Sequence, residues 1–251
     1  MLRQLLKPLM YLGAALLLLA ASWMVSSSSA AVMYLGDAVK LSTLVNNPAA
    51  EVVAGDKKFT GFSYLFTGDM PGPDGVNVVP ILDDLDDADP TTGNYGIEFQ
   101  GAFMDLVSSA GGSDALIKYM VEVTDPLYLI SDAHLAGNPH LIGENGSIGV
   151  TETFLPLGQN GEYTMAIYDD EIHPTPKLVD WTYFNPPVRK LNVQKDILAR
   201  AVVGTGTNGN TATLSFVDQT YSQIRIPEAT TLTLAFISLV SLAGYRRRSL
   251  K

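Results

Sequence analysis

The chain has 251 residues, of which 47% are hydrophobic and 17% charged, and a formal net charge of −10 at pH 7. It contains no cysteine, which excludes disulfides, cysteine-ligated metal sites and lipid attachment through a thiol. A surface this acidic repels nucleic acid and anionic membranes, so nucleic-acid binding is excluded as well.

The N-terminal residues have the pattern of a secretory signal peptide. Arg3 and Lys7 give the start a positive charge, residues 9–25 are apolar apart from one serine, and small residues follow up to Ala31. A positive start, an apolar stretch and a small-residue cleavage site are the features of such a signal. We therefore predict a signal helix within residues 1–31, cleaved after Ala31 or one residue earlier by signal peptidase. An uncleaved N-terminal anchor is the alternative.

A short helix is predicted soon after this segment, over residues 37–45. Leu41, Leu44 and Val45 fall at positions i, i+3 and i+4, which places them on one helical face. The rest of residues 32–225 shows no comparable helical periodicity and is expected to be extended.

Residues 32–225 are predicted to form one all-β domain, large enough to fold around its own core. Short apolar or alternating runs are separated by Gly, Asn, Asp and Pro, which favour turns. Pro80 predicts an edge position for its run, because proline cannot donate to a strand ladder. About ten such runs in succession are typical of an antiparallel β-sandwich, expected here to be jelly-roll-like. The runs are residues 57–66, 76–82, 95–103, 115–123, 147–154, 163–168, 179–184, 189–198, 210–217 and 221–225.

An acidic run is the best candidate for a metal site. Its carboxylates are Asp83, Asp84, Asp86, Asp87 and Asp89. Ca²⁺ prefers such oxygen ligands, but the spacing does not match the Asp-x-Asp-x-Asp-Gly order of a dedicated calcium loop. A calcium site and a solvated acidic loop are both compatible with this run, and no other cofactor is predicted.

The three histidines, His134, His140 and His173, are predicted to lie in loops or on the surface. None shows the paired spacing of histidine metal ligands. Residues 145–149 lack the first glycine of a nucleophile elbow, and their Asn-Gly pair predicts a hairpin turn instead. The sequence therefore indicates no catalytic residues.

Trp181 and Tyr183 are two residues apart in a predicted strand, so they share one face of it. If that face is exposed, the two rings form a platform on which a sugar can stack, because aromatic side chains combine an apolar face with a polar handle. The alternative is packing in the core or at an edge, where most large aromatic residues are found.

The C-terminal residues predict a membrane-spanning helix. Residues 229–245 contain no charge, and as a helix these residues extend about 26 Å, close to the thickness of a bilayer core. Arg246, Arg247 and Arg248 follow, and such a cluster stays on the cytoplasmic side. We expect a single transmembrane helix with residues 32–225 outside the cytoplasm.

The order of Pro227 and Glu228, an apolar helix and an arginine cluster resembles the PEP-CTERM sorting signal of Gram-negative and related bacteria. Ala229 stands where the family usually has proline. The resemblance, over residues 226–251, implies processing by exosortase, a membrane-embedded cysteine protease. It also implies delivery from the cytoplasmic membrane to the cell surface or into exopolysaccharide. An ordinary C-terminal anchor helix is the alternative.

The middle of the chain also resembles a recurring type of uncharacterised PEP-CTERM cargo. The matching residues are 55–59 (GDKKF), 96–99 (GIEF), 195–197 (KDI), Phe216 and Gln223. This second resemblance implies a β-sandwich and no established activity.

These features favour a non-catalytic structural or interaction module of the cell surface or exopolysaccharide matrix. Six of the 16 basic and one of the 26 acidic residues lie in the terminal segments, which leaves residues 32–225 with 10 basic and 25 acidic residues and a net charge of −15. The alternative is an exported carbohydrate-active hydrolase, which needs two carboxylates in one cleft. With so many acidic residues, the sequence does not single out such a pair.

Overall fold

The computed structural model describes residues 32–35, 37–83, 94–106, 111–143, 146–156, 161–202 and 210–226. The predicted signal peptide, most of the acidic run and the predicted sorting segment from Pro227 onward lie outside this described part. Within the described part, no helix is both long and apolar enough to cross a membrane. The sorting motif, the arginine cluster and both terminal helices therefore stay predictions.

The described part is almost entirely extended. It contains the helix α1 (Leu41–Asn46) and a 3₁₀ turn (Pro73–Gly75). Its strands are β1 (Val32–Leu35), β2 (Val39–Lys40), β3 (Ala50–Ala54), β4 (Lys57–Thr67), β5 (Asn77–Asp83), β6 (Asn94–Leu106), β7 (Ser113–Val123), β8 (Tyr128–Gly137), β9 (His140–Ile142), β10 (Gly146–Pro156), β11 (Tyr163–Asp170), β12 (Val179–Val188), β13 (Lys190–Ala201) and β14 (Thr211–Arg225).

The strands form two sheets. Sheet A has the order β1-β3-β4-β7-β13-β10-β11, and sheet B has the order β12-β8-β14-β6-β5-β2, with β9 beside β14. Strand β1 pairs with β3 in parallel, and the other pairs of the described part are antiparallel. Strands β6-β14-β8-β12 of sheet B and β7-β13-β10-β11 of sheet A have the nested order of a jelly roll. The predicted antiparallel, jelly-roll-like sandwich is confirmed.

The core lies between the two sheets and is rich in aromatic rings. The ring centroids of Phe99 on β6 and Tyr119 on β7 are 5.8 Å apart, and those of Phe154 on β10 and Tyr221 on β14 are 6.4 Å apart. Each pair joins one sheet to the other. Tilted and edge-on arrangements at such distances are the preferred ones for aromatic pairs.

A charged pair is enclosed in this core. Lys195 on β13 and Glu152 on β10 are both fully buried, with Nζ 2.9 Å from Oε2. Lys195 Nζ also donates to Gln219 Oε1 at 3.1 Å, and Gln219 Nε2 donates to the backbone carbonyl of His134 at 3.0 Å. Burial raises the pKa of Glu152 and lowers that of Lys195, and the opposite charge of each partner counters the shift of the other. This network ties sheet A to the middle of sheet B.

Gly55 and Gly96 are two of the glycines that stand where a side chain has no room. Gly55, in the turn between β3 and β4, has a φ of 56° and lies under the ring of Tyr95. A Cβ on Gly96 would lie 1.9 Å from the carbonyl oxygen of Gln219. Glycine is the residue that tolerates both a left-handed backbone and such a close approach.

The sequence missed β8, which lies between β12 and β14 in sheet B. Its inward side chains, Ile130, Ala133 and Leu135, are not evenly spaced, because a bulge opposite Ser222 and Gln223 shifts the register. A bulge inserts one extra residue and so breaks the two-residue alternation by which strands are recognised.

Other parts of the fold also differ from the prediction. The two predicted strands 210–217 and 221–225 form the single strand β14, because buried Gln219 is hydrogen-bonded in the core. Helix α1 begins at Leu41, after the short strand β2. Strand β3 was not predicted. The edge position predicted for Pro80 is confirmed, because the pairing of β5 with β2 ends two residues before Pro80.

Candidate functional site

The outer face of sheet B carries the candidate site. Alternation along β12, β8, β14 and β6 points one set of side chains into the core and the other set away from it. The outward set is Val179, Trp181, Tyr183, Asp132, His134, Ala136, Asp218, Thr220, Ser222, Glu98 and Gln100, as the registers of the paired strands show.

Trp181 and Tyr183 are exposed on β12, the edge strand of sheet B. Their relative exposures are 58% and 68%, whereas Phe184 next to Tyr183 is only 3% exposed. Phe184 packs against Phe154 and Tyr163 in the core, and this contact sets which residues of β12 face outward. Both rings therefore lie on the solvent-exposed face of an edge strand and not in the core. We call these two residues the aromatic platform.

Hydrogen-bonding groups stand directly beside the aromatic platform. In the ladder between β12 and β8, Trp181 is opposite His134 and Tyr183 is opposite Asp132. His134 Nε2 lies 2.8 Å from Asp132 Oδ1 and 3.4 Å from Ser222 Oγ. His134 lies within strand β8, and its side chain is 43% exposed, in agreement with the prediction that it lies in a loop or on the surface.

Asp132 is held in its charged form. Burial opposes the charge, but hydrogen bonds from His134, Ser222 and Ser131 outweigh burial and lower the pKa of the Asp132 carboxyl. The arrangement is not a nucleophile relay, because Asp132 and Ser222 both contact the same histidine nitrogen. A relay needs the histidine to bridge its two partners through different nitrogens.

A pair of carboxyl groups lies further along the same face. Glu98 on β6 is opposite Asp218 on β14, and Gln100 donates a hydrogen bond to Glu98. Burial, together with the hydrogen bond and the negative charge of Glu98, raises the pKa of Asp218 to about 7. The Asp218 carboxyl can therefore gain or lose a proton near neutral pH.

Asp132, whose pKa is lowered, and Asp218, whose pKa is raised, lie far apart on this face. Asp132 is opposite Ser222, four positions along β14 from Asp218, so about 14 Å separates them at ordinary strand spacings. Glycoside hydrolases hold their two carboxyl groups about 5–9.5 Å apart. Asp132 and Asp218 do not meet that requirement.

A shallow depression of about 520 Å³ continues this face beyond Val179. Two of its lining residues are bonded to each other, since Asn138 Nδ2 donates a hydrogen bond of 2.7 Å to Ser215 Oγ. The lining residues are Ala102, Phe103, Met104, Asn138, Pro139, His140, Leu178, Thr213, Leu214 and Ser215. The face from Tyr183 to Leu178 is about 17 Å long at the rise of a strand.

The other two histidines lie at the surface, as predicted. The side chain of His140 is 68% exposed and lies 3.9 Å from Asp169 Oδ2. His173 stacks on Tyr168 with 4.4 Å between ring centroids and contacts Asp170 at 2.8 Å. Within the described part, no three potential metal ligands come together.

The candidate calcium run is described only at its start. Asp83 is the last residue of β5. Asp84, Asp86, Asp87 and Asp89 lie outside the described residues. The calcium site therefore stays a prediction.

A second carboxyl pair lies on the outer face of sheet A. Burial, together with the hydrogen bond and charge of Asp114, raises the pKa of Asp196 to about 6. Asp196 borders a depression of about 210 Å³ that also includes Asp170 and Tyr168. No exposed aromatic pair comparable to Trp181 and Tyr183 borders it among the described residues.

Sequence reasoning found the aromatic platform but missed its polar neighbours. Asp132, Ser222, Glu98 and Asp218 lie on three different strands, and only the strand register brings them to one face. The outward alternation of β6 and β14 is a signal that was present in the sequence, but it does not say which strands pair.

Comparisons with known proteins establish no family for this chain. No protein-family model matches it, and no curated protein matches it. The solved structures that it resembles include TmCBM61 in complex with β-1,4-galactotriose, at 10% identity and a TM-score of 0.26, over 65% of this chain and 88% of the other. A family 11 carbohydrate-binding module from Clostridium thermocellum, in complex with a β-1,3-1,4-mixed-linked tetrasaccharide, gives 9% identity and a TM-score of 0.20 over 66% and 95%.

A third solved structure is the enzymatically active domain of tailspike protein 4 from bacteriophage CBA120. It gives 11% identity and a TM-score of 0.23, over 65% of this chain and 19% of the tailspike chain. TM-scores of this size carry no argument about function.

Proposed function

We propose that this protein is an exported, non-catalytic glycan-binding module, which binds polysaccharide at the cell surface or in the extracellular matrix through the outer face of sheet B. The observation that carries the proposal is the exposure of Trp181 and Tyr183 side by side, next to the hydrogen-bonded group of Asp132, His134 and Ser222.

The chemistry of this face suits a sugar chain. Sugar rings offer apolar C–H faces and a rim of hydroxyl groups, and a tryptophan or tyrosine ring packs against the first while neighbouring polar groups bond the second. Large exposed apolar side chains in a row mark interaction sites on soluble proteins. Asp132 and His134 are rigidly placed acceptor and donor groups within one strand spacing of the rings.

The site extends well beyond one sugar ring. The aromatic platform lies at one end of the face, and the depression bordered by Leu178, Thr213 and Ser215 lies at the other. We therefore expect an oligosaccharide or an internal stretch of a polysaccharide to bind better than a monosaccharide. A length series of one oligosaccharide, measured by calorimetry, tests this: affinity rises with length until the face is filled.

The binding test compares two platform variants with a matched control. Trp181→Ala and Tyr183→Ala remove the rings, and Leu65→Ala removes another large exposed side chain, 69% exposed on β4 of the other sheet. A glycan array identifies bound polysaccharides, and affinity electrophoresis then measures each variant. We expect Trp181→Ala to weaken binding about tenfold or more, because burial of one large apolar side chain contributes about 1.5–3 kcal/mol.

Three outcomes of this test contradict the proposal. If no glycan binds, or if the Leu65→Ala control loses as much affinity as the platform variants, the outer face of sheet B is not the site. If the chain releases shorter sugars from a bound polysaccharide, the alternative of an exported carbohydrate-active hydrolase replaces the non-catalytic module.

Export and sorting belong to the same proposal. They are supported by residues 1–31 and by Pro227, Glu228, Ala229 and the arginines at 246–248. Signal peptidase and exosortase are the proposed processing partners. Mass spectrometry of the mature termini, with and without exosortase, tests this. An intact arginine cluster in the presence of exosortase would reduce the C-terminal segment to a plain membrane anchor.

A further inference from the structure

We propose that the outer face of sheet B selects uncharged polysaccharides and discriminates against uronate- or sulfate-bearing ones. This inference rests on the proposed glycan-binding function and adds the chemical class of the ligand. The observation behind it is the distribution of charge over the face: its described side chains include three carboxyl groups, Glu98, Asp132 and Asp218, spread from one end to the other.

The carboxyl group nearest the rings is negatively charged at neutral pH, because hydrogen bonds outweigh burial and lower the pKa of Asp132. Asp132 is opposite Tyr183 in the ladder, and its hydrogen bonds to His134 and Ser131 hold it in place at 2.8 and 2.9 Å. A sugar stacked on Tyr183 brings its substituents toward this carboxylate. A hydroxyl group there donates a hydrogen bond to it, whereas a carboxylate or sulfate on the sugar can only repel it.

The other two carboxyl groups, Glu98 and Asp218, lie farther along the path of a bound polysaccharide. Burial, together with the hydrogen bond and the negative charge of Glu98, raises the pKa of Asp218 to about 7, so this pair of groups keeps negative charge near neutral pH. They lie on β6 and β14, which are three and two strands from the strand of the aromatic platform. A polysaccharide that leaves the platform across the sheet therefore meets negative charge again.

Basic side chains do not offset these groups. Among the described side chains of this face, the only lysine or arginine is Lys40 on β2, about 24 Å from β12 at the spacing of five strands. Lys195 lies beneath Asp218 but is buried and paired with Glu152. Lys177, just before β12, is paired with Asp180 at 2.8 Å. The described part of this face has no arginine that could bind a carboxylate or sulfate through two hydrogen bonds.

The expected discrimination is moderate. Two like charges about 7 Å apart in water repel enough to lower affinity roughly threefold, and a regularly charged polymer places several charges on the face. We therefore expect a neutral polymer to bind about tenfold more tightly than its charged counterpart at low ionic strength. The difference shrinks in salt, because the Debye length falls from about 10 Å at 0.1 M to about 3 Å at 1 M.

The experiment uses pairs of polymers that share a backbone and differ in charge. The probes are hydroxyethylcellulose with carboxymethylcellulose, dextran with dextran sulfate, and methyl-esterified with de-esterified homogalacturonan, each cast in a gel for affinity electrophoresis of the purified full chain. Trp181→Ala is run beside the wild type to identify binding through the platform. A low-salt and a high-salt gel are compared for each pair.

Two variants change the charge of the face without touching the rings. Glu98→Gln with Asp218→Asn removes the carboxyl pair, and Thr220→Lys adds a positive charge opposite His134. Both are expected to raise affinity for the charged polymer of a pair more than for the neutral one. Urea unfolding midpoints show whether each variant remains folded, and the second variant keeps the test valid if the first is unstable.

The outcomes separate this inference from the function on which it rests. Both proposals are supported if the neutral polymer binds more strongly than the charged one and Trp181→Ala weakens this binding. The difference in binding between the two polymers must also shrink in high salt. Equal or stronger binding of the charged polymer at low salt, still reduced by Trp181→Ala, overturns the charge selectivity and leaves glycan binding in place. If no polymer retards the chain, or if Trp181→Ala changes nothing, both proposals are overturned.

Discussion

Both faces of sheet B carry polar side chains, which are buried in the core on the inner face and lie at the surface on the outer face. On the inner face, Tyr221 and Gln219 of β14 are fully buried and bonded to partners in sheet A. On the outer face, Asp218 and Ser222 of the same strand alternate with them and lie beside acidic partners from β6 and β8. One strand thus contributes both to the core and to the candidate site, as period-two alternation allows.

The difference lies in how charge is balanced. Inside, Glu152 is balanced by Lys195 at 2.9 Å, because a buried charge without a partner is very costly. Outside, Asp218 has a carboxyl group as its neighbour and remains able to titrate near neutral pH. The core thus holds opposite charges that neutralise each other, whereas like charges on the open face leave it negative.

Breaking the inner charge pair is expected to have the largest effect. Lys195→Met leaves Glu152 buried without its counter-charge, and removal of one partner of a buried pair costs about 3–5 kcal/mol of unfolding free energy. Urea denaturation monitored by tryptophan fluorescence measures the loss.

The double variant Lys195→Met with Glu152→Leu is the control for this prediction. Replacement of both partners by apolar residues is often neutral or stabilising, so we expect most of the lost stability to return. If the double variant is as unstable as the single one, the loss comes from packing around Lys195 and not from the unpaired carboxylate.

The buried tyrosine pair provides a smaller test of the inner face. The hydroxyl groups of Tyr119 and Tyr221 are 3.1 Å apart and fully enclosed. Tyr221→Phe leaves the Tyr119 hydroxyl without this partner and should cost about 1–3 kcal/mol. Removal of both hydroxyls should cost less than that, since no buried polar atom is then orphaned. Thermal melts of the two single variants and the double variant decide.

Carboxyl groups on the outer faces of both sheets should contribute to the pH dependence of stability. The pKa of Asp218 is raised to about 7 and that of Asp196 to about 6 in the folded protein, above the ordinary value of an unfolded aspartate. The folded state therefore binds more protons between about pH 4 and 7, so these groups make stability fall as pH rises through that window. Asp218→Asn with Asp196→Asn should flatten the urea midpoint between pH 4.5 and 7.5, and an unchanged slope would contradict the assignment.

The smallest expected effect on stability is that of the platform itself. Trp181→Ala and Tyr183→Ala should change the unfolding free energy by no more than about 0.5 kcal/mol, because both rings are exposed. Phe184→Ala, one position further on β12 but buried, should cost about 3–5 kcal/mol. A similar loss from Trp181→Ala and Phe184→Ala would mean that β12 does not present the rings to solvent.

Much of the fold could be predicted because its strands alternate regularly. The runs at residues 115–123 and 147–154 match β7 and β10 closely, including inward-facing Glu152. Strand β8 could not be predicted, since its bulge breaks the alternation. Gln219 likewise reads as a polar interruption until Lys195 is placed beside it.

The candidate site was predictable only in part. Trp181 and Tyr183 share a face by their spacing alone, but spacing does not say whether that face is buried. The burial of Phe184 against Phe154 and Tyr163 from the other sheet decides it. The carboxyl pair of Glu98 and Asp218 comes from residues more than a hundred positions apart in the chain, and no local pattern links them.

The amino-acid sequence alone indicates the extended class of the domain, its acidic character, its lack of cysteine and the residues on which export and sorting are predicted. These properties depend on composition and on periodicities within a few residues. The fold is needed to know which strands pair, which side of β12 faces solvent and which acidic groups meet. Those outcomes depend on register and on the contacts between two sheets, and a one-residue change of register would turn every side chain of a strand to the opposite face.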